Sequence, residues 1–117
     1  MILRLLSCLL VGLLAASPAA AAEVLQVRTA SLLQVGDGNR YYTVQLACID
    51  VEPDAESSAV DWLREQLPRR RRVNLRPVGR SEGQLLARVT PIGDALDLSA
   101  GLVGAGLAKD TCPTEPV

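Results

Sequence analysis

VQLACIDVEP, Val44 to Pro53, is the stretch whose reading decides the fold. Going back to Arg40, Tyr42, Val44, Leu46 and Cys48 alternate with Tyr41, Thr43, Gln45, Ala47 and Ile49. A period of two with apolar residues on one side is the pattern of a strand with one face on a core. The strand is therefore expected to run from Arg40 to Ile49. Asp50, Glu52, Pro53 and Asp54 follow at once. The strand thus ends in an acidic loop, the kind of place where a rigid scaffold presents functional groups.

Upstream, Glu23 to Gln34 is rich in Val, Leu and Thr and reads as strand. Gly36-Asp37-Gly38-Asn39 is a hairpin signal, because Gly and Asn tolerate the positive φ of tight turns. Downstream, Asp54 is expected to cap a helix that runs to about Leu67. Val60, Leu63 and Leu67 share its inner stripe, Trp62 joins the core, and Pro68 ends it. Val73 to Val78 and Leu85 to Thr90 read as strands joined by a turn at Gly83. Asp97 is expected to cap a second helix that turns Leu98, Leu102 and Val103 inward. Gly101, Gly104 and Gly106 weaken that helix on propensity alone. The order predicts a mainly β domain, a five-stranded barrel with a helix packed across it, which is the OB-fold plan.

The chain has 117 residues. Its first 22 read as a secretory signal peptide: Arg4 in a short basic opening, an apolar run from Leu5 to Ala16 too short to span a bilayer comfortably, and small residues from Ala19 to Ala22. Cleavage after Ala22 would leave 95 of the 117 residues, enough for one small domain over 23–112 and an irregular tail over 113–117. The expected location is secreted or periplasmic, with no membrane contact after cleavage. Without Arg4, 11 basic residues face 13 acidic ones, a net charge of about −2 that argues against a general nucleic-acid binder.

Cys48 and Cys112 remain after cleavage. In an oxidising compartment such a pair in a small domain forms a disulfide more readily than a reactive thiol or a metal site. The chain has no histidine, which excludes Ser/His and Cys/His nucleophiles and an ordinary zinc site.

Arg69, Arg70, Arg71, Arg72, Arg76 and Arg80 place six positive charges within twelve residues. One reading is a phosphate-tracking patch for nucleic acid or another polyanion. The other is a solvated connection whose arginines alternate across a sheet edge and pair with nearby acids. Tyr41 and Tyr42 are candidate stacking platforms, although each can equally serve as packing on the barrel.

The chain resembles the staphylococcal-nuclease (thermonuclease) domain family over nearly all of its mature length. The family's strand with an Arg-Leu-x-x-Ile/Val-Asp motif and following Pro-Glu matches Gln45-Leu46-Ala47-Cys48-Ile49-Asp50-Val51-Glu52-Pro53. Its Tyr-Gly-Arg-x-Leu-Ala motif matches Glu82 to Ala87, and its closing Leu-Val-x-x-Gly-Leu-Ala helix matches Leu102 to Ala108. Secreted relatives often carry Leu-Ala-Cys-Ile-Asp and a second cysteine near the C-terminus, in keeping with a Cys48–Cys112 bridge.

The resemblance implies a chemistry of Ca²⁺ held by carboxylates, two arginines on the scissile phosphate and a glutamate that activates water. Carried onto this chain, most of that site is missing. One metal aspartate falls on Ser31 and the other is kept as Asp50. The arginines fall on Gln45 and Gln84. The general base falls at Pro53, with Glu52 one place early and Asp54 one place late. A relocated carboxylate cluster of Glu52, Asp54 and Glu56 competes with a plainer role in which Asp54 caps the helix and the others are solvated. The resulting expectation is a catalytically inactive domain without cofactor that binds nucleic acid, another polyanion or a protein. The alternatives are an active Ca²⁺-dependent phosphodiesterase and a purely structural periplasmic module.

Overall fold

The structure, a computed structural model, describes residues 22–112. Its elements in chain order are β1 (Ala22–Val27), β2 (Leu32–Asp37), β3 (Arg40–Leu46), β4 (Ile49–Asp50), α1 (Glu56–Gln66), β5 (Arg72–Ser81), β6 (Gln84–Pro91), α2 (Leu98–Gly104) and β7 (Lys109–Asp110). Five strands close a barrel in the order β1-β2-β3-β6-β5, and β4 pairs with β7 in a separate two-stranded sheet. This is the mainly β, OB-type barrel with helices that the pattern predicts. Neighbouring strands are antiparallel except at the joint of β3 and β6, where Val44, Leu46 and their partners Leu85 and Ala87 run in parallel register. The parallel joint follows from the connectivity, because α1 and the β5–β6 hairpin lie between these strands in the chain.

The β2–β3 hairpin closes at Asp37 opposite Arg40, with Gly38 at φ +65° in the two-residue turn. Alternation then sends Leu33, Val35, Val44 and Leu46 into the barrel, where they meet Val73, Ala87 and Val89 from the other wall. Ala59 and Leu63 of α1, with Leu98 and Leu102 of α2, complete the core. Each fully buried Val or Leu side chain contributes roughly 1.5–3 kcal/mol relative to exposure.

β3 is shorter than its alternation implies. It ends at Leu46, and Cys48 takes φ +69°. That left-handed residue breaks the pleat and redirects Ile49 and Asp50 towards β7, so the expected strand to Ile49 is two strands separated by a turn. The Ala47 N–H still reaches the Ala87 carbonyl at 2.9 Å, and the Thr111 N–H donates to the Cys48 carbonyl at 3.0 Å. Cys48 and Cys112 form a disulfide across 64 residues and fasten the end of the described chain to this turn.

Asp54 does not cap α1. It lies within a 3₁₀ turn, Pro53–Ala55, initiated by the proline, and Ala55 occupies the N-cap with no side-chain bond. Glu56 does the local work instead: its carboxylate accepts the Ala30 N–H at 2.8 Å and ties the first turn of α1 to the β1–β2 turn. α1 ends at Gln66 with Leu67 as its C-cap, ahead of Pro68, close to where the sequence pattern predicts. Asp97 caps α2 by accepting the Ala100 N–H at 2.9 Å. Leu98 and Leu102 are buried, whereas Val103 is only half-buried and Ser99 takes the remaining inward position. Gly101 has a packing reason: a Cβ there would lie 2.5 Å from Cη2 of Trp62, so the ring rests on the bare backbone of α2.

Ala22 is already buried in β1 opposite Val73. A mature start at Glu23 would therefore fall one residue inside the first strand. The rest of the expected leader and the tail over 113–117 lie outside the described residues. Among the described residues no helix is long and apolar enough to cross a membrane.

Candidate functional site

Three of the positions that match the nuclease motifs, Ser31, Gln45 and Gln84, gather at the β3–β6 joint and the turns beside it. Gln45 stands opposite Leu32 on β2 and Leu86 on β6. Ser31 precedes Leu32 in the β1–β2 turn, and its carbonyl accepts the Leu46 N–H at 2.8 Å. The Thr29 hydroxyl shapes that turn by accepting the N–H groups of Ser31 and Leu32 at 3.2 and 3.1 Å. Gln84 opens β6 two residues before Leu86, so alternation puts Gln84 and Gln45 on the same outer face of the joint. Ser31, Gln45 and Gln84 are thus brought into one region, and all three are neutral.

The acidic positions lie elsewhere. Asp50 is exposed in β4 opposite Lys109 of β7. Glu52 forms an ion pair with Lys109 at 2.8 Å. The hydrogen bond from the Lys109 ammonium, then its charge, holds the Glu52 carboxyl below the usual carboxylate range. Reciprocally, Glu52 raises Lys109, with a smaller contribution from Asp50. Glu56 is engaged with Ala30, and Asp54 is exposed. The three acids do not converge: among the described residues no group of three or more His, Cys, Asp or Glu side chains could hold a metal. Calcium takes about 6–8 oxygens, several of them from carboxylates, so the single carboxylate of Asp50 beside an ammonium does not fit it.

The six arginines do not form one patch. Arg69 lies with Arg64 beside the outer side of β1. Arg70 adopts φ +59° and pairs with Glu23 at 3.0 Å. Arg71 is a structural clamp: it donates to the carbonyls of Ile92 at 3.1 Å and Gln66 at 3.4 Å and meets Asp94 at 3.4 Å. Arg72 faces Glu23 across β5 and β1. Arg76 faces Arg88, which is itself held by Asp97 at 3.2 Å. Arg80 sits near the far end of the strand. A cluster in sequence is dispersed because β5 is extended over ten residues and turns alternate side chains to opposite faces.

Arg80 has company that the sequence reading missed. Pairing of β3 with β6 begins only at Val44 and Leu85. Before that point the β2–β3 and β5–β6 hairpins separate, and β5 shifts register between Pro77 and Gly79. The gap is a groove of about 490 Å³ lined by Asp37, Arg40, Tyr41, Tyr42, Arg80 and Gln84. Tyr41 is 69% exposed, the most exposed large hydrophobic side chain among the described residues. Tyr42 is half-buried; burial first, then the Asp37 carboxylate, pushes its hydroxyl above the ordinary tyrosine value, against the opposing charge of Arg40. Among the described residues neither Arg40 nor Arg80 makes an ion pair. The sequence signal was Arg40 beside two tyrosines at a hairpin tip, but nothing in the linear pattern placed Arg80 opposite.

No known protein family's model matches the chain, and no curated protein matches it.

Proposed function

We propose that the chain is an exported, non-catalytic binding domain of staphylococcal-nuclease type that takes nucleic acid or a related polyanion. The observation that carries the non-catalytic part is the pairing of Glu52 with Lys109, together with neutral Ser31, Gln45 and Gln84. Losing one preorganised donor to a phosphoryl transition state costs about 10²–10³ in rate. Here glutamines stand at both arginine positions, and Glu52, one of the two carboxylates flanking the base position, is already compensated by an ammonium. The losses do not multiply simply, but together they remove what the chemistry needs. Arg40 and Arg80, without ion pairs among the described residues, face each other across the hairpin groove and support polyanion binding, because phosphate contacts supply most non-specific affinity. Export rests on the leader over 1–22; the Cys48–Cys112 disulfide agrees with an oxidising compartment.

The test is incubation of the mature protein with single-stranded DNA and RNA, with Ca²⁺ and then with EDTA, beside Asp50→Ala. The expected result is salt-sensitive binding and no cleavage above the variant. Calcium-dependent cutting abolished by Asp50→Ala would restore the nuclease alternative.

A further inference from the structure

We propose that the ligand is single-stranded nucleic acid and that its site is the tip of the two hairpins, centred on Tyr41 and reaching Gln84 but none of Ser31, Gln45, Asp50 and Glu52; this rests on the polyanion reading above. Two grooves meet at Tyr41. One is the gap between hairpins, with Arg40 and Arg80. The other, of about 190 Å³, runs over the outer face of β1 and β2 to Arg70 and Arg72. Strand register explains the second groove. Arg72, Glu23, Gly36 and Tyr41 form one row across β5, β1, β2 and β3. At Gly36 the row has no side chain, and the Leu25 side chain approaches to 3.2 Å of where a Cβ would stand. Leu25 thus packs over the buried Gly36 backbone, and the groove runs beside it to Tyr41, an exposed ring with arginines on both sides. Three strand spacings separate Tyr41 from Arg72, about 14 Å.

The chemistry of this tip is specific. A ring exposed at 69% and flanked by guanidinium groups offers a face to a base and charges to the phosphates around it. A duplex hides its base faces, whereas a single strand presents them. A sulfated or carboxylated chain would use the arginines and leave the ring idle. Four arginines surround the ring; Asp37 and Glu23 offset two, and Glu82 lies in the adjoining turn. The tip stays positive in a chain whose net charge is −1. The larger groove matches the size of small-ligand sites, roughly 300–1,000 Å³, and so admits one nucleotide unit.

The experiment measures fluorescence anisotropy of two labelled probes at low and high salt: a short oligothymidylate and an abasic strand of the same length with phosphates but no bases. The wild type is expected to bind the oligothymidylate more tightly. Tyr41→Ala should weaken oligothymidylate binding about tenfold or more and leave the abasic strand unchanged, with Tyr41→Trp restoring it. Arg40→Gln with Arg80→Gln should weaken both probes and flatten the salt dependence. Because Tyr41 is exposed, loss of fold does not confound its variants. Equal, salt-sensitive binding of both probes, or no effect of Tyr41→Ala, overturns the stacking site while polyanion binding stands. Failure of both probes to bind the wild type overturns both readings.

Discussion

The two ends of the β3–β6 joint differ in how they are held. Beyond Leu46 the chain is clasped: Cys48 is bridged to Cys112, β4 is paired with β7, and Lys109 covers Glu52. Before Val44 the same strands part, and Tyr41, Arg40 and Arg80 face solvent without partners among the described residues. The clasped end carries Asp50 and Glu52 of the positions that resemble a nuclease, and Glu52 is already paired with Lys109. The open end carries uncommitted charge and an exposed ring. A polar group already satisfied within the fold must give up that partner before it serves a ligand. Binding is therefore expected at the open end, and stability at the clasped one.

Variants can break this division. The largest effect is expected from Cys48→Ser with Cys112→Ser. Releasing a 64-residue loop is worth roughly 4 kcal/mol in the chain-entropy account. Chemical denaturation should show that loss, with oligonucleotide affinity unchanged under folded conditions; a large loss of affinity would join the two ends. Gly101→Ala comes next. A Cβ forced against Trp62 should cost about 1–3 kcal/mol by overpacking, read as a lower melting temperature and a shifted Trp62 fluorescence.

These expectations also mark what was legible in the sequence. Gly38 sets the hairpin turn because a positive φ is written directly into glycine. The alternation from Tyr42 to Leu46 likewise names the core face. The end of β3 was hidden because Ala47-Cys48-Ile49 keeps alternating while Cys48, a residue that rarely takes φ +69°, turns the chain. Asp54 had the right type for a cap and lost the role to Pro53, which starts a 3₁₀ turn one residue earlier. Glu56 found its partner, Ala30, 26 residues away, where no local pattern points. The arginines of 69–80 were legible as charge and not as geometry. The open groove joins Arg40 to Arg80, and only the barrel's closure brings them together.

Smaller effects sharpen the comparison. Asp97→Ala removes the cap of α2 and the partner of Arg88 and should cost about 1 kcal/mol in urea unfolding. Glu52→Gln should change stability least, because the Glu52–Lys109 pair is solvent-exposed. The folded state lowers the Glu52 pKa, so whatever the pair contributes is present above the unfolded carboxylate value and is lost as pH falls through the lowered one. Comparing wild type and Glu52→Gln from neutral to acid pH should show curves that converge only on the acid side. A difference that grows towards acid pH would contradict the pairing.

The division is tested most directly by titrating isotope-labelled protein with a short oligothymidylate in the presence of Ca²⁺ and following backbone amide shifts. The account predicts that Arg40 to Thr43, Gly36 and Arg80 to Gln84 move together, that Ser31, Asp50 and Glu52 stay in place, and that the oligonucleotide remains intact. Shifts centred on Ser31, Gln45 and Asp50, with the oligonucleotide cut during the titration, would contradict it.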